Sequence, residues 1–215
     1  MNKPLFFGLL FTVVGSYAQR DTAFTTKAPV TYSFSLLLPI RSIGVQAGIA
    51  SLLKQNEIYK HASSKKPKII RKERWLSIDL GFYSQKELHN SLFLTGSYRL
   101  RRVNPYGYYR QFSPFLGISQ TFLNEESYSV TADNEVVLHK IAGNFYLTGG
   151  FGLSFGKVFT KSKAPFIRDI HAGLLMQSYY PNFRFLALHP AFQLGLEAGF
   201  PAFSRNFKKK IITRP

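Results

Sequence analysis

The chain has 215 residues, 28 Lys and Arg against 11 Asp and Glu, a formal net charge of +17, and no cysteine. With 45% hydrophobic and 16% aromatic residues it is too apolar for intrinsic disorder, and its length suits a single domain. The lack of cysteine excludes disulfide frameworks, thiolate metal sites, cysteine nucleophiles and a lipidated cysteine anchor.

Residues 1–18 read as a secretory signal. Lys3 supplies the positive start, residues 5–14 a short apolar run, and Ser16-Tyr17-Ala18 a small-x-small cleavage site. The run is shorter than the roughly 20 residues of a membrane-spanning helix, and the rest of the chain has no stretch of eighteen apolar residues. Residues 19–30, Thr-rich with Pro29, are expected to be a flexible lead-in.

From Thr31 the dominant period is two, which sends alternate side chains to opposite faces of a strand. Eight strands are expected, the first two at 31–39 and 43–53. The third sets Leu76, Ile78, Leu80 and Phe82 against Ser77, Asp79, Gly81 and Tyr83, and the fourth sets Leu92, Leu94, Tyr98 and Leu100 against Thr95, Ser97, Arg99 and Arg101. The fifth spans 112–124. The sixth opposes Phe145, Leu147, Phe151, Leu153 and Phe155 to Tyr146, Thr148, Gly150, Gly152, Ser154 and Gly156. The seventh covers 167–178. The eighth places Leu186, Leu188, Phe192, Leu194, Leu196 and Phe200 opposite Ala187, His189, Ala191, Gln193, Gly195 and Glu197.

In a soluble sheet the polar face meets water and carries Lys, Glu and Thr. Here that face is Gly, Ser, Ala and Gln, which suits the lumen of a narrow barrel, where about eight strands leave room only for side chains. The large apolar residues then face lipid, and strands of this length suit a tilted bilayer crossing. Tyr32, Trp75, Tyr83, Tyr98, Phe112, Tyr179 and Tyr180, near the expected strand ends, are read as an interfacial girdle. The fold class is therefore all-β, a closed antiparallel transmembrane β-barrel of eight strands.

Over residues 31–203 this pattern resembles the small outer-membrane β-barrel proteins of Gram-negative bacteria, the eight-stranded OmpA-like and OmpX-like group. Gln193-Leu194-Gly195-Leu196-Glu197-Ala198-Gly199-Phe200 is similar to the C-terminal assembly signal of that class, with Ala198 where another aromatic is usual and a basic tail, 204–215, following it. The resemblance implies an outer-membrane location, surrounding lipid and lipopolysaccharide, and insertion by the barrel assembly machinery.

An even strand count returns both termini to the periplasm. The loops at 39–42, 85–90, 125–140 and 180–185 would then lie outside, with Glu87, Glu125, Glu126, Asp133 and Glu135. The segment 54–74 would be a basic periplasmic loop carrying Lys54, Lys60, Lys65, Lys66, Lys68, Arg71, Lys72 and Arg74, and the tail adds Lys208, Lys209 and Lys210. A solvated face is the plain interpretation of such runs. A docking surface for an acidic protein partner is the functional one. Nucleic acid is not expected, because the chain is exported and its aromatics form a membrane-facing set.

Asp79, Arg99, Asp169, His171, His189, Gln193 and Glu197 project into the lumen in this register, where buried charges must be paired. Arg99 is expected to pair with Asp79, with Glu197 competing for the same guanidinium, so that the cluster plugs the lumen. No histidine pair has metal-ligand spacing, so no metal or cofactor is expected. No catalytic residue is assigned, although Asp169 and His171 share a face and a serine from another strand would complete an acyl-transfer triad. The function expected is that of a non-enzymatic barrel anchoring or supporting a larger envelope assembly. The alternatives are a lipid-modifying barrel enzyme, an acyl hydrolase or transferase, and a narrow channel or adhesin.

Overall fold

The computed structural model describes residues 21–39, 42–60, 68–85, 89–123, 127–139, 143–159, 166–180 and 189–214. The expected signal at 1–18 lies outside them, as do His61, Lys65 and Lys66. Every regular element is a strand: β1 (Asp21–Pro39), β2 (Ser42–Lys60), β3 (Lys68–Gln85), β4 (His89–Val103), β5 (Tyr108–Leu123), β6 (Ser127–Val130), β7 (Val136–His139), β8 (Phe145–Val158), β9 (Ile167–Tyr180) and β10 (His189–Arg214). Eight of them close a ring of antiparallel neighbours, in which β5 pairs with β8, β9 with β10, and β10 with β1. The other two, β6 and β7, form a separate hairpin between β5 and β8, turning through Asn134 at φ 62°, a conformation Asn adopts more readily than most residues.

The alternation read in the sequence gives the wall its two faces. On β3, Trp75, Ser77, Asp79, Gly81 and Tyr83 are buried while Leu76, Ile78, Leu80 and Phe82 are exposed. The exterior is hydrocarbon, with Ile78 61%, Phe155 67% and Phe192 67% exposed, and the interior is Ser, Thr, Gly and charge. Small lumen residues have steric partners. The Phe93 ring lies where a Cβ on Gly81 would sit, and the Asp79 carboxylate occupies that place at Gly48.

At one end the strands run further than the sequence reading allowed. The expected flexible lead-in is the first half of β1 from Asp21, the expected tail is the end of β10 through Arg214, and the expected loop 54–74 is largely β2 through Lys60 and β3 from Lys68. The charges there interrupt the apolar pattern but not the backbone ladder, because sheet outside a hydrocarbon layer can carry polar residues on its wetted face.

The extension also changes strand order. Val30 pairs with Phe200, but Pro29 pairs with Ser204, so three residues of β10 bulge out at the switch. Within the barrel β1 lies beside β2, Thr31 opposite Ala50. Past the bulge β10 takes that place and runs parallel to β2, from Lys208 opposite Lys54 to Arg214 opposite Lys60, with residues 21–29 of β1 on its other side. The barrel is antiparallel throughout, and this parallel pairing is a departure from the expected class confined to the extension. Pro29 and Pro201 fall at the switch, where an interrupted ladder tolerates a residue without an N–H.

Candidate functional site: the closed lumen and its basic end

Inward alternation brings polar residues from β3, β4, β9 and β10 to one level of the lumen. Arg99 donates to Asp79 Oδ1 at 2.9 Å and to Glu197 Oε1 at 2.8 Å. Arg101, two residues on and so on the same face, donates to Glu197 Oε1 and to Asp169 Oδ2, each at 2.8 Å. Tyr109 O–H donates to Asp169 Oδ1 at 2.9 Å, and Ser77 and Ser33 donate to the two oxygens of Asp79. All three carboxylates are buried. Pairing and hydrogen bonds on this scale are what make such burial tolerable.

Of the residues predicted for the lumen network, Asp79, Arg99, Asp169 and Glu197 meet in this cluster, and His171 borders it with Nδ1 3.7 Å from Asp169 Oδ1. Gln193 lies higher and donates to Ser35 Oγ at 3.0 Å. His189 is set apart at the far rim, where its ring packs edge-on to Tyr179 at 5.3 Å between centroids. Arg101 is the central member that the sequence reading left out of the network, although its inward parity was visible there. The cause was the expected end of the strand beside it.

Below the cluster Trp75 fills the bore. It is buried, its Nε1 donates to Glu73 Oε2 at 3.1 Å, and the guanidinium carbons of Arg168 and Arg101 lie 4.8 Å and 5.6 Å from its ring centre. Ala28, Ala50, Leu52 and Phe207 pack with it into an apolar floor. Trp75, Tyr83 and Tyr179 were expected in an interfacial girdle and are lumen residues instead. Trp75 would end a strand if residues 54–74 were a loop, but β3 begins at Lys68 and carries it inside the barrel. At the other end Leu37, Tyr83 and Phe93 form a second apolar cluster, and Tyr83 and Tyr179 bond through their hydroxyls at 2.9 Å. Buried side chains thus occupy the lumen at three levels, with a cavity between Phe93 and the Arg99 cluster.

That cavity brings together two of the three groups that acyl-transfer chemistry would need. Ser35 Oγ lies 3.5 Å from His171 Nε2. The third member is occupied, since Asp169 already accepts from Arg101 and Tyr109, and 3.7 Å to His171 Nδ1 exceeds hydrogen-bond length. Gly195 admits the contact, because a Cβ there would strike both Ser35 Oγ and His171 Nε2.

The predicted docking cations gather at the extended end. Lys72, Arg74 and Lys208 are exposed, and Lys54 is half-buried beside Lys208. Arg71 lies 3.9 Å from Glu73, and Lys209 pairs with Glu57 at 3.0 Å. Lys210 continues the same strand, while the side chains of Lys60 and Lys68 lie outside the described set. Arg102 and Arg110, exposed on the outer wall beside Lys72, were not singled out in the sequence because they fell in an expected turn.

No family model matches the chain, and no curated protein is similar to it at a significant level. Among solved structures it is similar to Neisserial surface protein A, with a TM-score of 0.39, 9% identity, and 83% of this chain and 99% of that one covered. It is also similar to the beta domain of the Bordetella autotransporter BrkA, with a TM-score of 0.28, 11% identity and 81% and 99% covered. At such scores these likenesses say nothing about lumen or rim, whose reading follows from the chain's own geometry.

Proposed function

We propose that the chain is a bacterial outer-membrane β-barrel that neither conducts nor catalyses, and that serves as an anchoring or accessory subunit of a larger envelope assembly. The belt of exposed Leu, Ile and Phe around a polar interior is the arrangement of a wall that meets lipid. Lipid and lipopolysaccharide then surround it, and the barrel assembly machinery is the partner during insertion.

The observation that carries the functional part is the combination of a blocked lumen with a sheet-built cationic end. Burial of Trp75, Phe93, Arg99 and Arg101 inside the bore favours a barrel that does not conduct. The extension, by contrast, holds its cations on paired strands in a fixed pattern, which favours electrostatic recognition of an acidic periplasmic protein. Cross-linking followed by purification from envelopes tests this with Lys54→Glu/Lys208→Glu. A neighbour captured by the native chain and lost with the variant supports docking, and an unchanged set of neighbours rejects it.

A second reading, lipid hydrolysis or acyl transfer, has in its favour the Ser35 and His171 contact. Fluorophosphonate labelling of the folded chain separates it from the first, because an activated serine would be modified.

A further inference from the structure

Three cations stand directly opposite one another on the outer wall: Lys72 of β3 faces Arg102 of β4, and Arg102 faces Arg110 of β5. Adjacent strands are about 4.8 Å apart, so the row spans about 10 Å. Like charges at directly paired positions destabilise a sheet. Among the described residues none of the three, nor Arg74 beside them, forms an ion pair with a carboxylate. Glu73, the one acidic residue at this place, is buried inward and bonded to Trp75.

The row is continued by apolar surface. Arg110 faces Phe155 of β8, and one step toward the apolar belt Arg74, Leu100, Phe112 and Leu153 follow in register. These residues line a groove in the outer wall, and Leu100, Phe112, Leu153 and Phe155 are all exposed within it. A cationic end about two phosphates wide, opening onto a hydrocarbon floor, matches the two halves of one ligand class.

We propose that this groove is a binding site for an anionic glycerophospholipid of the leaflet at the basic end. Its phosphate would sit across Lys72, Arg102 and Arg110, with Arg74 at the side, and an acyl chain would lie along Leu100, Phe112 and Leu153. The inference rests on the membrane reading above. A soluble acidic protein fits less well, because the groove runs from the cations of the extension onto the exposed Leu100, Phe112 and Leu153 of the lipid-facing belt. The anion also accounts for a row of like charges that the protein itself leaves unneutralised.

The test uses the full-length chain folded in neutral detergent, with native mass spectrometry during titration by phosphatidylglycerol, phosphatidylcholine or lipid A. Phosphatidylglycerol is expected to be retained in preference to the other two. Replacing Lys72, Arg102 and Arg110 by Gln is expected to weaken its retention roughly 10- to 100-fold, given the usual attraction per cation near an anionic surface. A control, Lys27→Gln/Arg205→Gln, removes exposed cations of β1 and β10, which do not pair with β3, β4 or β5 there, and is expected to leave retention unchanged. Phosphatidylglycerol should also raise the unfolding temperature of the native chain and not that of the triple variant. In lipid-free detergent the triple variant should be at least as stable as the native chain, since repulsion has been relieved.

Equal retention of phosphatidylcholine, preference for lipid A, or undiminished phosphatidylglycerol binding by the triple variant would each overturn the proposal. Failure of the native chain to insert into vesicles would overturn the membrane reading, a result distinguishable from insertion without lipid preference.

Discussion

Arg101 and Glu197, 96 positions apart in the chain, meet at 2.8 Å inside the barrel, and the same carboxylate oxygen accepts from Arg99 at 2.8 Å. Glu197 therefore joins two guanidinium groups from one strand to the far side of the ring. Replacing it by Leu leaves both cations short of a partner, and removing one member of a buried ionic set costs about 3–5 kcal/mol. Urea unfolding followed by heat-modifiable migration should show that loss. Exchanging Arg101, Asp169 and Glu197 together for apolar residues of similar size should cost less than Arg101→Leu alone.

Conduction follows from the same packing. The native chain should be electrically silent in a planar bilayer. Trp75→Ala combined with Phe93→Ala removes a ring from the floor and a ring from the upper cluster but leaves the Arg99 and Arg101 level in place, so stable current steps are expected only when Arg99→Ser, Arg101→Ser and Glu197→Ser are added. Current from the native chain would contradict the blocked lumen.

The extension depends on Phe207, which packs on the only tryptophan of the chain. Phe207→Ala should lower stability by about 3–5 kcal/mol as for other buried aromatics and shift tryptophan emission to the red. Truncation after Phe203 removes the parallel partner of β2, so trypsin should cut within 54–60 faster than in the full chain while the barrel above stays folded.

Fluorophosphonate should leave Ser35 unmodified. Its hydroxyl lies 3.5 Å from His171 and accepts from Gln193, and the carboxylate that would orient the histidine is held by Arg101 and Tyr109. Labelling of Ser35 that disappears in His171→Ala would establish the enzymatic reading instead.

The barrel was legible in the sequence because its two faces differ in kind at every second residue, as Ile78 and Asp79 show, and no other sheet environment tolerates that pairing of hydrocarbon with Ser and Gly. The Arg99 and Asp79 pair followed from parity alone. The extension was not legible. Residues 54–60 and 68–74 lack an apolar face; they pair with each other as a hairpin, flanked on one side by β4 and on the other by the β10 segment beside β2, a contact between positions about 150 apart. A β3 that begins at Lys68 puts Trp75 in the bore and not at the rim, and a β4 that runs to Val103 and a β5 that begins at Tyr108 put Arg102 and Arg110 on the wall and not in a turn.

The most direct test of the account is the accessibility of single cysteines in intact cells, which the cysteine-free chain permits. Asn134→Cys, in the β6–β7 turn, and Lys208→Cys, on the extension, lie at opposite ends of the barrel. A membrane-impermeant maleimide is predicted to label Asn134→Cys on whole cells and Lys208→Cys only after the outer membrane is permeabilised. Labelling of Lys208→Cys on intact cells would place the basic end outside and contradict a periplasmic docking surface.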